Sequence, residues 1–463
     1  MEIQEIEGFG ISTGQELEEL RKALTVGYAD PTGQTGGDAL RVESLEASLK
    51  VLTHAAKHCV MWQKIGKTPA YSTVEEYAQL TSYGSDGGSF TPFGTAPEED
   101  DSAYARAAAY VKFIGTTRKV QHQATLVKLL PGVADIVARE NTNGIMKVIK
   151  DVEEALFWGN STLGYSITTT GLEWDGLHKL IDSTQVYDLA NKAITEGALE
   201  NAAEMVADNY GIPSDLFLAN KAASAFNETM LPKGRVIYPA TGGGLTAGAV
   251  VKEVQTAYGL VTLNPSKFLN IGRSPKKTVP ASATNAKAPT APASIAGGAM
   301  AGATGQWRAA QQGTFKFQAT MCNRYGESAP CALSAGVTVT SSDLTKYIPL
   351  TITNGTVVTA PEWINIYATE VDGTATYLIG QVAASSQANG GTTVYNYTGL
   401  YMANTSIAFL GELTEDVVVF KQLAPLMKMD LAVIDPSIRW MLLLYGVLQL
   451  FAPKKWVRVI NIS

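Results

Sequence analysis

The chain has 463 residues, 46% of them hydrophobic and 17% charged, with a formal net charge of −7. So much apolar material builds a core and excludes a disordered chain, and the acidic balance argues against a protein that grips nucleic acid by neutralising phosphates. Cys59, Cys322 and Cys331 form no disulfide framework and suit a reducing compartment, and four histidines leave little for a histidine-rich metal site.

Residues 1–7 are acidic, where a secretory signal would be basic and then apolar. Residues 1–50 hold ten acids against four bases, so this stretch carries most of the net charge. A short helical pattern over 15–24 runs into the turn-rich link 30–37, and such an arm needs something else to order it. The spacing of Leu45, Leu49, Leu52 and Ala56 predicts a helix over 42–62. Within it His54 and His58 lie four apart, but Ala55 stands where a zinc-hydrolase motif needs Glu.

Over 66–119 the strand patterns 67–80 and 104–113 flank a middle rich in Gly, Ser and acids, including Glu98, Glu99, Asp100 and Asp101. This reads as a two-stranded arm, and a lone hairpin is marginal in water, so its expected resting place is a neighbour. The next segment, 131–158, is the longest helix. Ile145, Val148, Ile149, Val152 and Leu156 form its apolar stripe, Lys147, Lys150, Asp151, Glu153 and Glu154 its polar face, and 141–144 a point for a bend. Glu173, Asp175 and His178 cluster without a second group to complete a catalytic site, and read as a turn into a short helix. A helix over 195–210 capped by Gly211, a buried strand over 215–219 and a helix over 221–230 indicate an α/β layer. The glycine-rich 242–248 lacks the Lys of a phosphate-binding loop.

Composition changes after Lys277: residues 280–410 hold only ten charged side chains. A linker over 280–304 leads into strand patterns at 314–321, 336–340, 347–353, 363–370, 376–382 and 392–397, with Asp372-Gly373 as a hairpin turn. Short strands at this spacing indicate a β-sandwich, here an insertion between host segments. Strands return at 417–420, 438–450 and 456–462. The apolar run 441–452 is too short for a bilayer, which takes about 20 residues. Lys454, Lys455, Trp456 and Arg458 form a basic aromatic patch, which reads as the close of a strand that pairs with acids of a neighbouring subunit in preference to a nucleic-acid contact. Together with the acids Glu98 to Asp101, these are candidates for contact between subunits.

The order of parts resembles the major capsid proteins of tailed bacteriophages with the Hong Kong 97-type fold, closest to those of large contractile-tailed phages. The stretches that carry the resemblance are 68–77, Ala155-Leu156-Phe157-Trp158-Gly159-Asn160-Ser161, Gly171-Leu172-Glu173-Trp174-Asp175-Gly176-Leu177 with 179–182, 423–428, and 445–456 ending in Ala452-Pro453-Lys454-Lys455-Trp456. The resemblance implies an α+β fold with an N-terminal arm (1–41), an extended E-loop (66–119) and a peripheral domain (42–65 and 120–194) with its spine helix (131–160). It also implies an axial domain (195–278, returning over 412–433), an inserted immunoglobulin- or fibronectin-like sandwich (279–411) and C-terminal peripheral strands (434–463). It implies a non-enzymatic protein without cofactor or metal. Hexamers and pentamers of it would form an icosahedral virion shell around double-stranded DNA, assembled in the host bacterial cytoplasm without a membrane. A separate scaffolding protein, a portal and a cement or decoration protein are the implied partners. An encapsulin-type compartment shares the fold. A glycan-binding protein with a fibronectin-like module is the reading from another class.

Overall fold

The computed structural model describes residues 53–127 apart from 86, 88 and 98, then 135–163, 171–230, 251–432 and 435–463. The expected N-terminal arm, most of the helix over 42–62, Glu98 and the loop 242–248 lie outside the described residues. Residues 53–126 and 137–463 make one compact unit. The other comprises 1–52 and 127–136, of which only 127, 135 and 136 are described.

The chain order begins with α1 (Val60–Lys64), β1 (Lys67–Pro69), β2 (Val74–Ser82), β3 (Ala103–Tyr110), β4 (Lys112–Gln121) and α2 (His122–Leu126). The long helix α3 (Ile136–Trp158) and the short α4 (Leu177–Leu180) follow. Next come β5 (Val186–Lys192), α5 (Glu196–Ala207), β6 (Asp215–Ala219), α6 (Asn220–Met230), β7 (Glu253–Thr256) and β8 (Gly259–Ser266). The low-charge segment supplies β9 (Ser294–Gly297), β10 (Gly313–Phe315), β11 (Phe317–Asn323), β12 (Gly326–Glu327), β13 (Val337–Val339) and β14 (Ile348–Thr353). It continues with β15 (Trp363–Thr369), β16 (Thr376–Ala383) and β17 (Thr392–Tyr397). The chain closes with β18 (Ser406–Gly411), β19 (Val418–Asp430), β20 (Ser437–Leu450) and β21 (Trp456–Ile462). The fold is α+β.

Three bodies of packing organise these elements. A four-stranded sheet runs β1-β19-β20-β4. Pro425 sits inside β19, where the register slips between Ala424 and Met427, so the residue that cannot donate falls at an irregularity of the ladder. The long helix lies against this sheet: a Cβ on Gly144 would come within 2.5 Å of Leu442 Cδ1. Glycine leaves room there for the Leu442 and Arg118 side chains, and the helix is continuous through 141–144.

A six-stranded sheet runs β5-β21-β18-β6-β8-β7. Every residue of β6 is buried. Phe157, near the end of α3, meets Phe217 and Phe409 of this sheet at centroid distances of 5.7 and 5.9 Å. The helix therefore touches both sheets, the first at Gly144 and the second at Phe157. Thr195 caps α5 by accepting from Ala198 N. At its other end the left-handed residue is Tyr210 (φ 61), and the expected Gly211 instead closes the turn through Gly211 N to Val206 O at 3.0 Å.

The third body is the low-charge segment. Sheets β12-β11-β15-β16 and β17-β14-β9 share one hydrophobic cluster that includes Trp307, Phe315, Phe317, Leu350, Ile364 and Tyr397. All members of that cluster lie between residues 295 and 397, so the segment has a core of its own. Strand β9 falls inside the expected linker; its run of small residues hides the alternation. Strand β18, grouped above with the insertion, pairs with β6 and β21 in the six-stranded sheet. Strand β19 pairs with β20 in the four-stranded sheet, whereas β21 pairs with β5 and β18. The expected helix over 42–62 is interrupted in its described part. A 3-10 turn at Ala56–His58 and a non-helical Cys59 precede α1.

Candidate subunit interface

The arm foreseen over 66–119 is formed by β2 and β3, which pair only with each other, from Val74 opposite Tyr110 to Ser82 opposite Ala103. Its base rests on the end of β20. Tyr77 donates to Leu450 O at 3.3 Å, Gln449 Nε2 donates to Glu75 O at 3.4 Å, and the Tyr77 and Phe451 rings meet edge-on at 5.0 Å. Beyond this seat the large apolar side chains are exposed. Tyr83 is 90% exposed, Phe90 102% and Phe93 108%. Leu80 and Tyr104 stand opposite each other across the ladder, both exposed. Water-exposed Phe and Tyr on one element form a surface that gains free energy by being covered.

The tip is shaped by local bonds. Asp100 accepts from Ser85 N at 2.6 Å and from Ser85 Oγ at 3.1 Å, tying the two sides of the loop together. Glu99 and Asp101 are exposed, and Glu98 lies outside the described residues. Sequence patterning located this acidic run at the end of the arm; it gave no sign that Asp100 folds the tip.

The basic aromatic patch is a different matter. Trp456 has no exposure and stacks on Phe217 at 6.3 Å, so it is a core residue rather than a surface contact. Lys455 pairs with Glu412 at 3.3 Å within the chain. Arg458 donates to His178 O at 2.9 Å and Asp182 O at 3.2 Å, closing the start of β21 onto α4. Of the four, Lys454 alone is exposed. Strand β21 is buried along nearly its whole length, so Trp456 joins the core and the two neighbouring cations find acceptors within the chain.

The other motif residues serve the fold. Arg273 makes a bidentate pair with Glu173 at 2.5 and 2.8 Å and donates to Trp158 O at 3.0 Å, at the negative end of α3. Asp175 accepts from Ser161 N at 2.7 Å and pairs with Lys179 at 3.0 Å. His178 lies between the Trp158 and Tyr401 rings, and burial followed by the charge of Arg458 pushes its pKa down to about 3. His54 and His58 do not converge: His54 Nε2 reaches Met146 O at 3.0 Å, and His58 Nδ1 accepts from Ala55 N at 2.9 Å. Among the described residues no cluster of three or more His, Cys, Asp or Glu could hold a metal, and no helix is long and apolar enough to cross a membrane.

One burial escaped the sequence pattern. Glu153, on the expected polar face of α3, has no exposure and accepts from Met61 N at 2.9 Å and Trp62 N at 2.7 Å. Burial raises its pKa to about 7 against those bonds, which favour the charged form. Nearby, a groove of about 640 Å³ separates α3 and β4 from the low-charge body, with Lys112, Phe113, Trp158, Trp174, Tyr325 and Trp363 among its walls. Lys112 donates to Gly171 O at 2.9 Å, and its burial lowers its pKa.

Comparison with known proteins gives the family. The model of the SU10 major capsid protein family matches residues 32–292. A putative major capsid protein of Enterococcus phage phiEF24C is 30% identical over 454 residues, covering 96% of this chain and 95% of that protein. The major capsid protein of Staphylococcus phage S25-3 is 27% identical over 458 residues, covering 96% and 95%. Among solved structures, the capsid of a native GTA particle aligns with a TM-score of 0.47 at 7% identity, covering 94% of this chain and 100% of that one. With the family model matching more than half of the chain, and a relative 30% identical aligned almost end to end, the chain belongs to the SU10 major capsid protein family.

Proposed function

We propose that the chain is the shell subunit of a phage head. Hexamers and pentamers of it enclose double-stranded DNA in an icosahedral container with the Hong Kong 97-type arrangement. Family membership supports this reading and favours it over an enzyme-filled compartment or a glycan-binding protein. The observation that carries the mechanism is the arm: a two-stranded ribbon seated on its own body only at the base, with Tyr83, Phe90 and Phe93 open to water.

The physics is that of many modest contacts. Burying one such aromatic side chain contributes roughly 1.5–3 kcal/mol. Obligate interfaces bury about 2,000 Å² or more, and a subunit held by several neighbours at once leaves only if all contacts break together. The net charge of −7 suits a wall that confines DNA without holding it. On this reading the chain is structural rather than enzymatic, it resides in the virion after assembly in the host cytoplasm, and a scaffolding protein, a portal and a cement protein are its partners. The low-charge body, with its own two-sheet core, serves as an immunoglobulin- or fibronectin-like module on the outer surface.

The test replaces residues 83–102 by a short turn. The expected result is a folded, soluble subunit by circular dichroism and no closed shells by electron microscopy. Normal shells from this variant would refute the role given to the arm.

A further inference from the structure

The four-stranded sheet of the low-charge body has a polar face that the assembly reading does not use. Along β11 and β15, Thr320 and Asn365 alternate with the core residues Ala319, Met321, Ile364 and Ile366, so they point away from that core. Glu327 of β12 lies over this face. Its Oε2 is 2.7 Å from Lys277 Nζ, and its Oε1 accepts from Asn365 Nδ2 at 2.9 Å, from Thr320 Oγ1 at 2.5 Å and from the Tyr367 hydroxyl. Gln381 Nε2 donates to Asn365 Oδ1 at 2.6 Å. Thr320 and Tyr367 are fully buried, Asn365 is 2% exposed and Glu327 7%. Lys277 arrives from the link that enters this body, its side chain 29% exposed.

An amine, a carboxamide and a carboxylate thus share one water-poor site, with the amine and the amide nitrogen on the two oxygens of the same carboxylate. A side-chain amine is a competent nucleophile once a neighbouring base takes its proton, and a carboxylate placed between nucleophile and leaving group can do so. We propose that Lys277 and Asn365 join in an intrachain isopeptide bond, with Glu327 as the catalytic residue. Glu327 takes a proton from Nζ, and the freed lone pair attacks Asn365 Cγ. The carbonyl electrons move onto Oδ1, where the Gln381 N–H stabilises the developing oxyanion. Glu327 passes its proton to Nδ2, the Cγ–Nδ2 bond breaks as the carbonyl reforms, and Glu327 relays the second proton from Nζ to the departing ammonia, which leaves as ammonium. A lysine ammonium and a primary amide become a secondary amide and an ammonium ion, with no oxidant or other reactant. Thr320 and Tyr367 are positioning residues: they hold the carboxylate with one oxygen toward each partner. The bond ties the entry link to the central strand β15, so the body cannot be pulled open at that crossing without breaking a covalent bond. A cross-link of this kind also restricts the unfolded chain.

The test is intact-mass spectrometry of the full chain under denaturing conditions, with peptide mapping. The chain is expected to be lighter by one ammonia than its sequence requires, with a branched peptide joining residues 277 and 365. Lys277→Arg and Glu327→Gln should carry their full masses. Asn365→Asp should lose water instead and arrive at the wild-type mass, because the product amide is the same. A wild-type chain at full mass, a loss that persists in Lys277→Arg, or a branch at other residues would overturn the proposal. The readout is taken on denatured chain, so it does not depend on shell formation, and its failure leaves the capsid reading untouched.

Discussion

Glu153 accepts two backbone hydrogen bonds from α1 while wholly buried, and burial dominates: its pKa stands at about 7 against an ordinary 4.5. The folded state therefore holds this proton more tightly than the unfolded state. Its stabilising contribution is complete below pH 4.5 and is lost as pH rises through about 7. At about 1.4 kcal/mol per pH unit, the contribution amounts to roughly 3 kcal/mol. His178 works in the opposite sense. Its pKa drops from 6.5 to about 3, so unfolding takes up a proton and stability declines as pH falls below 6.5. The two groups oppose each other between pH 5 and pH 8, so the Glu153 effect is read in a His178→Phe background: urea midpoints there should fall from near pH 5 to near pH 8, and adding Glu153→Gln should flatten that fall. In His178→Phe the acid-side decline should lessen while the Glu153 slope remains, read from the same midpoints. At the six-stranded sheet, a Cβ on Gly411 would lie 2.3 Å from the Trp456 ring. Gly411→Val should cost about 1–3 kcal/mol by overpacking, and Trp456→Ala about 3–5 kcal/mol by opening a cavity, both measured by denaturant unfolding.

Among the elements, legibility followed the source of burial. The long helix and the strands of the low-charge body were readable because their partners lie on regular faces, where period 3.6 or 2 marks the buried side. The arm was readable for the opposite reason: its middle offers little to bury. Strand β9 was not, since Ser294-Ile295-Ala296-Gly297 has a single large apolar residue, and its place is fixed by pairing with β14. Glu153 was assigned to solvent because periodicity cannot see that the amides of Met61 and Trp62 come to meet it. Trp456, Lys455 and Arg458 looked like a surface patch because sequence proximity hides the inward turn of the tryptophan and the partners of the two cations. The low-charge body, with a core drawn wholly from its own residues, should fold when residues 277–405 are expressed alone. A cooperative melt and dispersed amide resonances are the expected outcome, and a collapsed, non-cooperative species would show that it depends on the host sheets.

For the whole molecule, the long helix connects both host sheets, and the arm leaves them at one seat on β20. Beyond that seat nothing in the unit covers Tyr83, Phe90 and Phe93, so on the proposed function their burial comes from neighbouring copies in the shell. The measurement that bears most directly on this is hydroxyl-radical footprinting of Tyr83, Phe90 and Phe93 in free subunits and in assembled shells. The account predicts strong modification of all three in the free subunit and deep protection in the shell. Equal modification in both states would contradict it.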